Sequence, residues 1–181
     1  MSFDAAHRFV AQWEGGLTDH PSDPGGITNY GVSLRFLKTQ GLDVGDIDND
    51  GDIDADDIRK LTPEDAKRIF KREFWAASKL DILDFTHPLC AFVVYDTSVN
   101  MGAGWGKRFL QQAIGGLDVD GIWGPKTWAA IATAPDREVA LRMIELRRDR
   151  YYYLVERNFS LKCFLKGWLN RINALKQAIS H

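Results

Sequence analysis

The apolar residues of this chain recur at helical spacing, and glycine or proline closes nearly every such run. Phe3, Ala6, Phe9, Val10 and Trp13 share one helical face, ending in Glu14 before Gly15-Gly16 supplies a stop. Ser33 to Gln40 reads as a short helix halted by Gly41. Thr62-Pro63-Glu64-Asp65 is a helix start: a capping Thr, Pro at the first helical position, then acids at the positive end of the dipole. That helix is expected to run to about Trp75. Residues 88–100 are apolar on most sides, which predicts a central buried helix. Gly102, Gly104 and Gly106 are expected to break it, with Lys107 to Ile114 resuming. Pro125 to Ala132, Pro135 to about Asn158, and Lys162 to Ile179 complete the series. Only residues 17–30 have the Pro, Gly, Asp and Ser content of turns, with room for a short hairpin. The pattern predicts a mainly α, multi-helix fold with at most a short β-hairpin after the first helix.

Composition narrows the class. An apolar fraction of 45% with 27% charged residues is that of a globular protein, not a disordered one. The longest apolar run, at 89–95, has seven residues, far short of the ~20 that span a bilayer. No basic segment precedes an apolar stretch near Met1, so no Sec leader is expected. The net charge of -2 is unevenly spread: residues 43–57 hold eight Asp and no Lys or Arg, and the remainder carries 17 acids against 23 bases. A basic body suits a polyanionic partner, but no groove-reading motif supports nucleic acid. Cys90 and Cys163 lack metal-ligand spacing and are expected to be buried, reduced thiols. The four His are scattered and give no metal or triad pattern.

The acidic segment is a motif in its own right. From Asp46 to Asp57 it fits a twelve-residue EF-hand loop, with Asp46, Asp48, Asp50, Asp54 and Asp57 at positions 1, 3, 5, 9 and 12. Asp52 at position 7 would offer its backbone carbonyl, Gly51 stands at the sharp turn, and Ile53 holds position 8. Calcium takes six to eight oxygens, and this spacing converges them on one point. Position 12 is Asp where Glu is usual, which resembles the single calcium loops of dockerins. One loop between short helices points to a structural or regulatory Ca²⁺, not a sensor.

Glu14 is the chemically informative acid. At a helix C-terminus beside Trp13, both the macrodipole and aromatic burial would disfavour its ionisation, which suits a general acid. It opens the stretch Glu14-Gly15-Gly16, followed by Asp23-Pro24-Gly25-Gly26 and Thr28-Asn29-Tyr30-Gly31. This stretch resembles the signature of glycoside hydrolase family 108, the muramidases found as phage endolysins and in bacterial genomes. It is also similar to the Glu, Asp, Thr arrangement of phage-type lysozymes. Downstream, Asp120-Gly121-Ile122-Trp123-Gly124-Pro125-Lys126-Thr127 resembles a turn recurrent in peptidoglycan-associated modules. Tyr151-Tyr152 and Phe164 to Arg171 resemble the C-terminal peptidoglycan domain that accompanies this family.

The resemblance implies a lysozyme-like fold, with a catalytic region over 1–115, an EF-hand-like insert at 43–61 and a C-terminal region over 116–181, packed as one globule. It implies a peptidoglycan hydrolase cutting β-1,4 links between N-acetylmuramic acid and N-acetylglucosamine. Glu14 would be the general acid, Asp23 the second carboxylate, and Thr28 a positioner of water or of Asp23. Gly26, Tyr30, Asn100 and Tyr151 are the expected substrate contacts. Trp168 is expected in the core. The implied partner is the peptidoglycan glycan strand, met by a monomer in the periplasm or cell wall after synthesis in the cytoplasm, with holin-assisted release. The rival reading is a non-catalytic, calcium-stabilised wall-binding protein.

Overall fold

The helical spacing carries through. In the computed structural model, which describes residues 2–19 and 26–180, the regular structure is eleven α-helices and one two-stranded antiparallel hairpin, with short π and 3-10 turns. The chain forms two compact units, one of Met1–Ala6 with Phe74–His181 and the other of His7–Glu73.

The smaller unit starts within α1 (Phe3–Ala11), at His7, and continues to a hairpin of β1 (Thr28–Asn29) and β2 (Val32–Ser33), paired Thr28 to Ser33 and Asn29 to Val32. Tyr30 and Gly31 both take positive φ, 48° and 79°, as a two-residue type I′ turn requires. Thr18 exchanges both backbone hydrogen bonds with Thr28, at 2.8 and 2.9 Å, and so adds a third extended segment. Ser33 caps α2 (Leu34–Lys38) by accepting from the Phe36 amide. α3 (Leu42–Gly45), the acidic loop and α4 (Ala55–Lys60) follow. Thr62 and Asp65 form a reciprocal capping box at the start of α5 (Pro63–Phe70). This helix ends earlier than its periodicity suggests, because residues Lys71–Ala76 widen into a π-helical turn that places Trp75 in the core. Phe3, Trp75 and Tyr95, all three of the larger unit, meet edge to face at 5.5–5.6 Å.

In the larger unit, α6 (Leu80–Thr86) precedes α7 (Pro88–Met101), which is buried on every side from Cys90 to Ser98. It packs against α6, α8 (Ala103–Ile114) and α10 (Asp136–Arg157). The two Asp136 carboxylate oxygens accept the amides of Leu89 and Cys90, so the start of α7 is capped from the start of α10. Only Gly102 interrupts the chain after α7; Gly104 and Gly106 lie inside α8, contrary to the expected triple break. A Cβ at Gly106 would stand 2.5 Å from the Val94 carbonyl oxygen, so its role is close helix approach and not a stop. α9 (Pro125–Thr133) and α11 (Lys162–Ser180) complete the unit. Cys163 is exposed on the first turn of α11, a correction to the expected pair of buried thiols; Cys90 is buried, and burial pushes its thiol pKa well up.

Candidate active site and acidic loop

α1 ends at Ala11, so Glu14 lies past the last helical residue instead of ending the helix. Its amide still donates to the Val10 carbonyl at 3.3 Å, which keeps the tail curled back under α1. The side chain is half-buried and lines a small cavity of about 60 Å³ with His7, Ala11, Tyr30, Pro63, Ala66 and Phe70. The hairpin turn backs the carboxyl: a Cβ on Gly31 would sit 2.9 Å from Glu14 Oε2 and 3.0 Å from its Cβ and Cγ. Glycine is therefore needed at 31 twice over, for the positive φ and for the space the acid occupies.

Thr28 is part-buried and its hydroxyl donates to the Gly26 carbonyl at 3.3 Å, closing the turn that leads into β1. Asn29, buried beside it, donates from Nδ2 to the Ile58 carbonyl at 3.0 Å. One side chain thus ties the hairpin to α4, the helix that leaves the acidic loop.

The acidic loop gathers its carboxylates in two triplets, Asp46 with Asp48 and Asp50, and Asp52 with Asp54 and Asp57. Within each triplet the ligand oxygens lie within 4.8 Å of one another. Asp46 accepts from the amides of Asp50 and Gly51, at 3.1 and 3.0 Å, which shapes the turn; Gly51 has φ of 100°. Asp57 is buried and spends both oxygens on the backbone, Oδ1 on the amides of Ile47 and Asp48 and Oδ2 on that of Asp54. Ile53 reaches Gly45 so closely that a Cβ there would lie 2.6 Å from its Cδ1. The Lys60 ammonium meets Asp48 Oδ2 at 2.6 Å and holds that carboxyl below the usual range. Asp52 shifts upward, chiefly through repulsion from Asp50. Asp48 Oδ1 is buried with no hydrogen-bond partner. An all-oxygen donor set with an orphaned buried carboxylate oxygen fits a hard cation.

In the larger unit, Asp96 is fully buried and paired with Arg147 at 2.5 Å and Arg171 at 2.9 Å. Burial alone would raise its pKa, but the two guanidiniums outweigh that and hold it low. Arg147 Nε donates to the Tyr151 hydroxyl, which donates in turn to Asn100 Oδ1. Burial pushes the Tyr151 phenol up against the pull of Arg147.

The glycosyl hydrolase 108 model matches residues 7–102, more than half of the chain. The chain belongs to the glycosyl hydrolase 108 family. A second model, described as a predicted peptidoglycan domain, matches residues 104–173. Together the two matches support a peptidoglycan hydrolase. The chain is also similar to the solved structure of SagA from Brucella abortus, with 25% identity and a TM-score of 0.77 over 98% of this chain and 92% of that one. No curated protein matches it.

Glu14, Gly26, Thr28, Tyr30 and the acidic loop fall within the glycosyl hydrolase 108 segment, as does Asn100. Glu14 and Tyr30 share a cavity, and Asn100 and Tyr151 share a hydrogen bond. Asp23 lies outside the described residues. His7 was not singled out by its sequence, yet it lines the Glu14 cavity; its place seven residues before Glu14, two helical turns away, is the signal that could have found it. Asn29 left no such signal, because its partners are backbone carbonyls about thirty residues downstream. Trp168, expected in the core, is only half-buried: it stacks on Tyr151 at 4.8 Å and lines a surface depression, because α11 leaves one face of this turn uncovered.

Proposed function

We propose that this peptidoglycan hydrolase is an N-acetylmuramidase that cleaves β-1,4 bonds between N-acetylmuramic acid and N-acetylglucosamine, with Glu14 as general acid. The observation that carries the reading is the packing of the Glu14 carboxyl against the glycine of a type I′ turn, in a cavity with the apolar rims of Ala66 and Phe70. A carboxyl backed in this way is held in position, which proton delivery to a leaving oxygen requires. Asp23 is the second carboxylate of this reading and Thr28 its positioner. Ca²⁺ is the cation proposed for the acidic loop, bound by Asp46, Asp48, Asp50, Asp54 and Asp57 with the Asp52 carbonyl. Its role is structural, since the acid chemistry needs no metal.

Mass spectrometry of digested murein is the test. The wild type should release products ending in a reducing N-acetylmuramic acid. Glu14→Gln keeps the shape but carries no proton to give, and should fold normally while losing roughly 10²–10⁴-fold in rate. Products ending in reducing N-acetylglucosamine would overturn the bond assignment, and a folded Glu14→Gln that clears murein at wild-type rate would overturn the acid.

A further inference from the structure

We infer that the depression between α8, α10 and α11 is a binding site for a carboxylate of the peptide-bearing glycan, with Arg150 as its anion-recognising residue. This rests on the peptidoglycan reading and goes beyond it by naming which part of the substrate is held there. The depression, about 190 Å³, is lined by Asn100, Trp105, Arg150, Tyr151 and Trp168 with two aliphatic neighbours. Ligand pockets for whole small molecules run to about 300–1,000 Å³, so this one fits a single group of a longer ligand.

Its one charged group is a cation. The Arg150 guanidinium lies between two rings, 4.3 Å from the Trp105 centroid and 5.0 Å from that of Tyr153. Among the described residues no carboxylate pairs with it, and its Nε is buried without a hydrogen-bond partner. Aromatic faces hold a cation in place without neutralising it, so the charge stays available to a ligand. Asn100 is oriented by the relay beneath it: Arg147 Nε donates to the Tyr151 hydroxyl, whose own proton goes to Asn100 Oδ1. That leaves Asn100 Nδ2 as the free end of the amide, a donor. The indoles of Trp105 and Trp168 are donors only. A carboxylate, which only accepts and carries the opposite charge, answers the Arg150 guanidinium and the Asn100 Nδ2 donor together. Glycan strands with peptide stems carry carboxylates, and strands of N-acetylglucosamine alone carry none.

The experiment uses the full chain carrying Glu14→Gln, so that ligands survive, with binding read by tryptophan fluorescence and calorimetry. Three probes are compared: a disaccharide-tetrapeptide with free carboxylates, the same molecule with its carboxylates amidated, and a neutral oligomer of N-acetylglucosamine. The free-carboxylate ligand should bind at least about tenfold more tightly than the amidated one. Adding Arg150→Gln should erase that difference while leaving the two neutral affinities unchanged, and Arg150→Lys should restore part of it. Equal binding of free and amidated ligands by the parent overturns the inference, as does an Arg150→Gln loss that is the same for all three probes. If Arg150→Gln does not fold, the parent's comparison of free and amidated ligands decides alone. The wild type is assayed on murein in parallel: failure to cut it sinks the functional reading, whereas cutting without carboxylate discrimination sinks this inference only.

Discussion

A methyl group at position 31 would meet the Glu14 side chain at three atoms, all within 3.0 Å. It would also sit on a backbone with φ of 79°, where an L side chain costs about 1–2 kcal/mol. Gly31→Ala therefore combines a modest loss of stability with a displaced acid. A misplacement of about 1 Å at a reacting group can lower a rate about 10²-fold. The expected result is a folded protein, a few degrees lower in melting temperature, whose murein turnover falls far more than its folded fraction. Wild-type turnover in the folded variant would show that Glu14 has room to move, and would remove the turn from the proposed machinery.

At the scale of elements, the start of α7 depends on another helix. Its N-cap residue, His87, gives no side-chain cap, and the Leu89 and Cys90 amides are instead taken by Asp136. Loss of such a cap costs about 0.5–2 kcal/mol, more when the freed amides are buried. Asp136→Ala should lower the unfolding free energy by that amount, moving the urea midpoint down by the same figure divided by an unchanged slope, and Asp136→Asn should recover part of it; an unmoved midpoint would mean that water replaces the cap. Local rules made much of this architecture legible in the sequence. The Thr62 cap with Pro63, the all-round apolar α7 and the Pro-started α9 were visible because capping, periodicity and proline act within a few residues. The helix ends were harder. Gly104 and Gly106 look like stops in a sequence, and only the approach of Val94 makes Gly106 a contact. Glu14 read as a helix end because its periodicity continues past Ala11, where the α-helix gives way to turns whose amides still donate to Phe9 and Val10. The Glu14 segment was legible as a motif, while its support from Gly31, His7 and Asn29 depended on long-range packing.

Across the whole molecule, charge sets two expectations. Cation binding to the native state alone adds RT ln(1 + [L]/Kd), about 2.7 kcal/mol at a hundredfold excess over Kd. For a chain of this length that is a melting shift on the order of 5–10 °C. Calorimetry of EDTA-treated protein should show it on adding Ca²⁺ and not with Asp46→Ala; an unchanged melting temperature at millimolar calcium would remove the ion. The second expectation concerns acid. Asp96, Asp65, Asp120 and Glu145 are all held below their usual values in the fold. Between the folded and unfolded values the native state binds fewer protons, so their stabilisation is complete above about pH 4–5 and drains away as pH falls through the folded values. Asp52 runs the other way, and one raised group does not offset five lowered ones, Asp48 included. Urea midpoints should be flat between pH 5 and 7 and drop steeply towards pH 3. A midpoint as high at pH 3 as at pH 6 would contradict the pairing of Asp96 with Arg147 and Arg171.

The Asp57 carboxylate receives three amides on two oxygens, something an asparagine, with one acceptor oxygen, cannot reproduce. Asp46 also uses both oxygens, on the amides of Asp50 and Gly51, whereas Asp50 and Asp54 each use one, which an amide or hydroxyl could replace. Closure of the segment thus falls most heavily on Asp57 and Asp46, while the aspartates at 48, 50 and 52 add charge more than shape. A lineage released from any need for a cation could lose its acids one by one, exchanging them for Asn or Ser, while the turn stayed shut around position 57. The order of decay among descendants would then be legible as a fossil record: the aspartates at 48, 50 and 52 drifting first, and the one at 57 last.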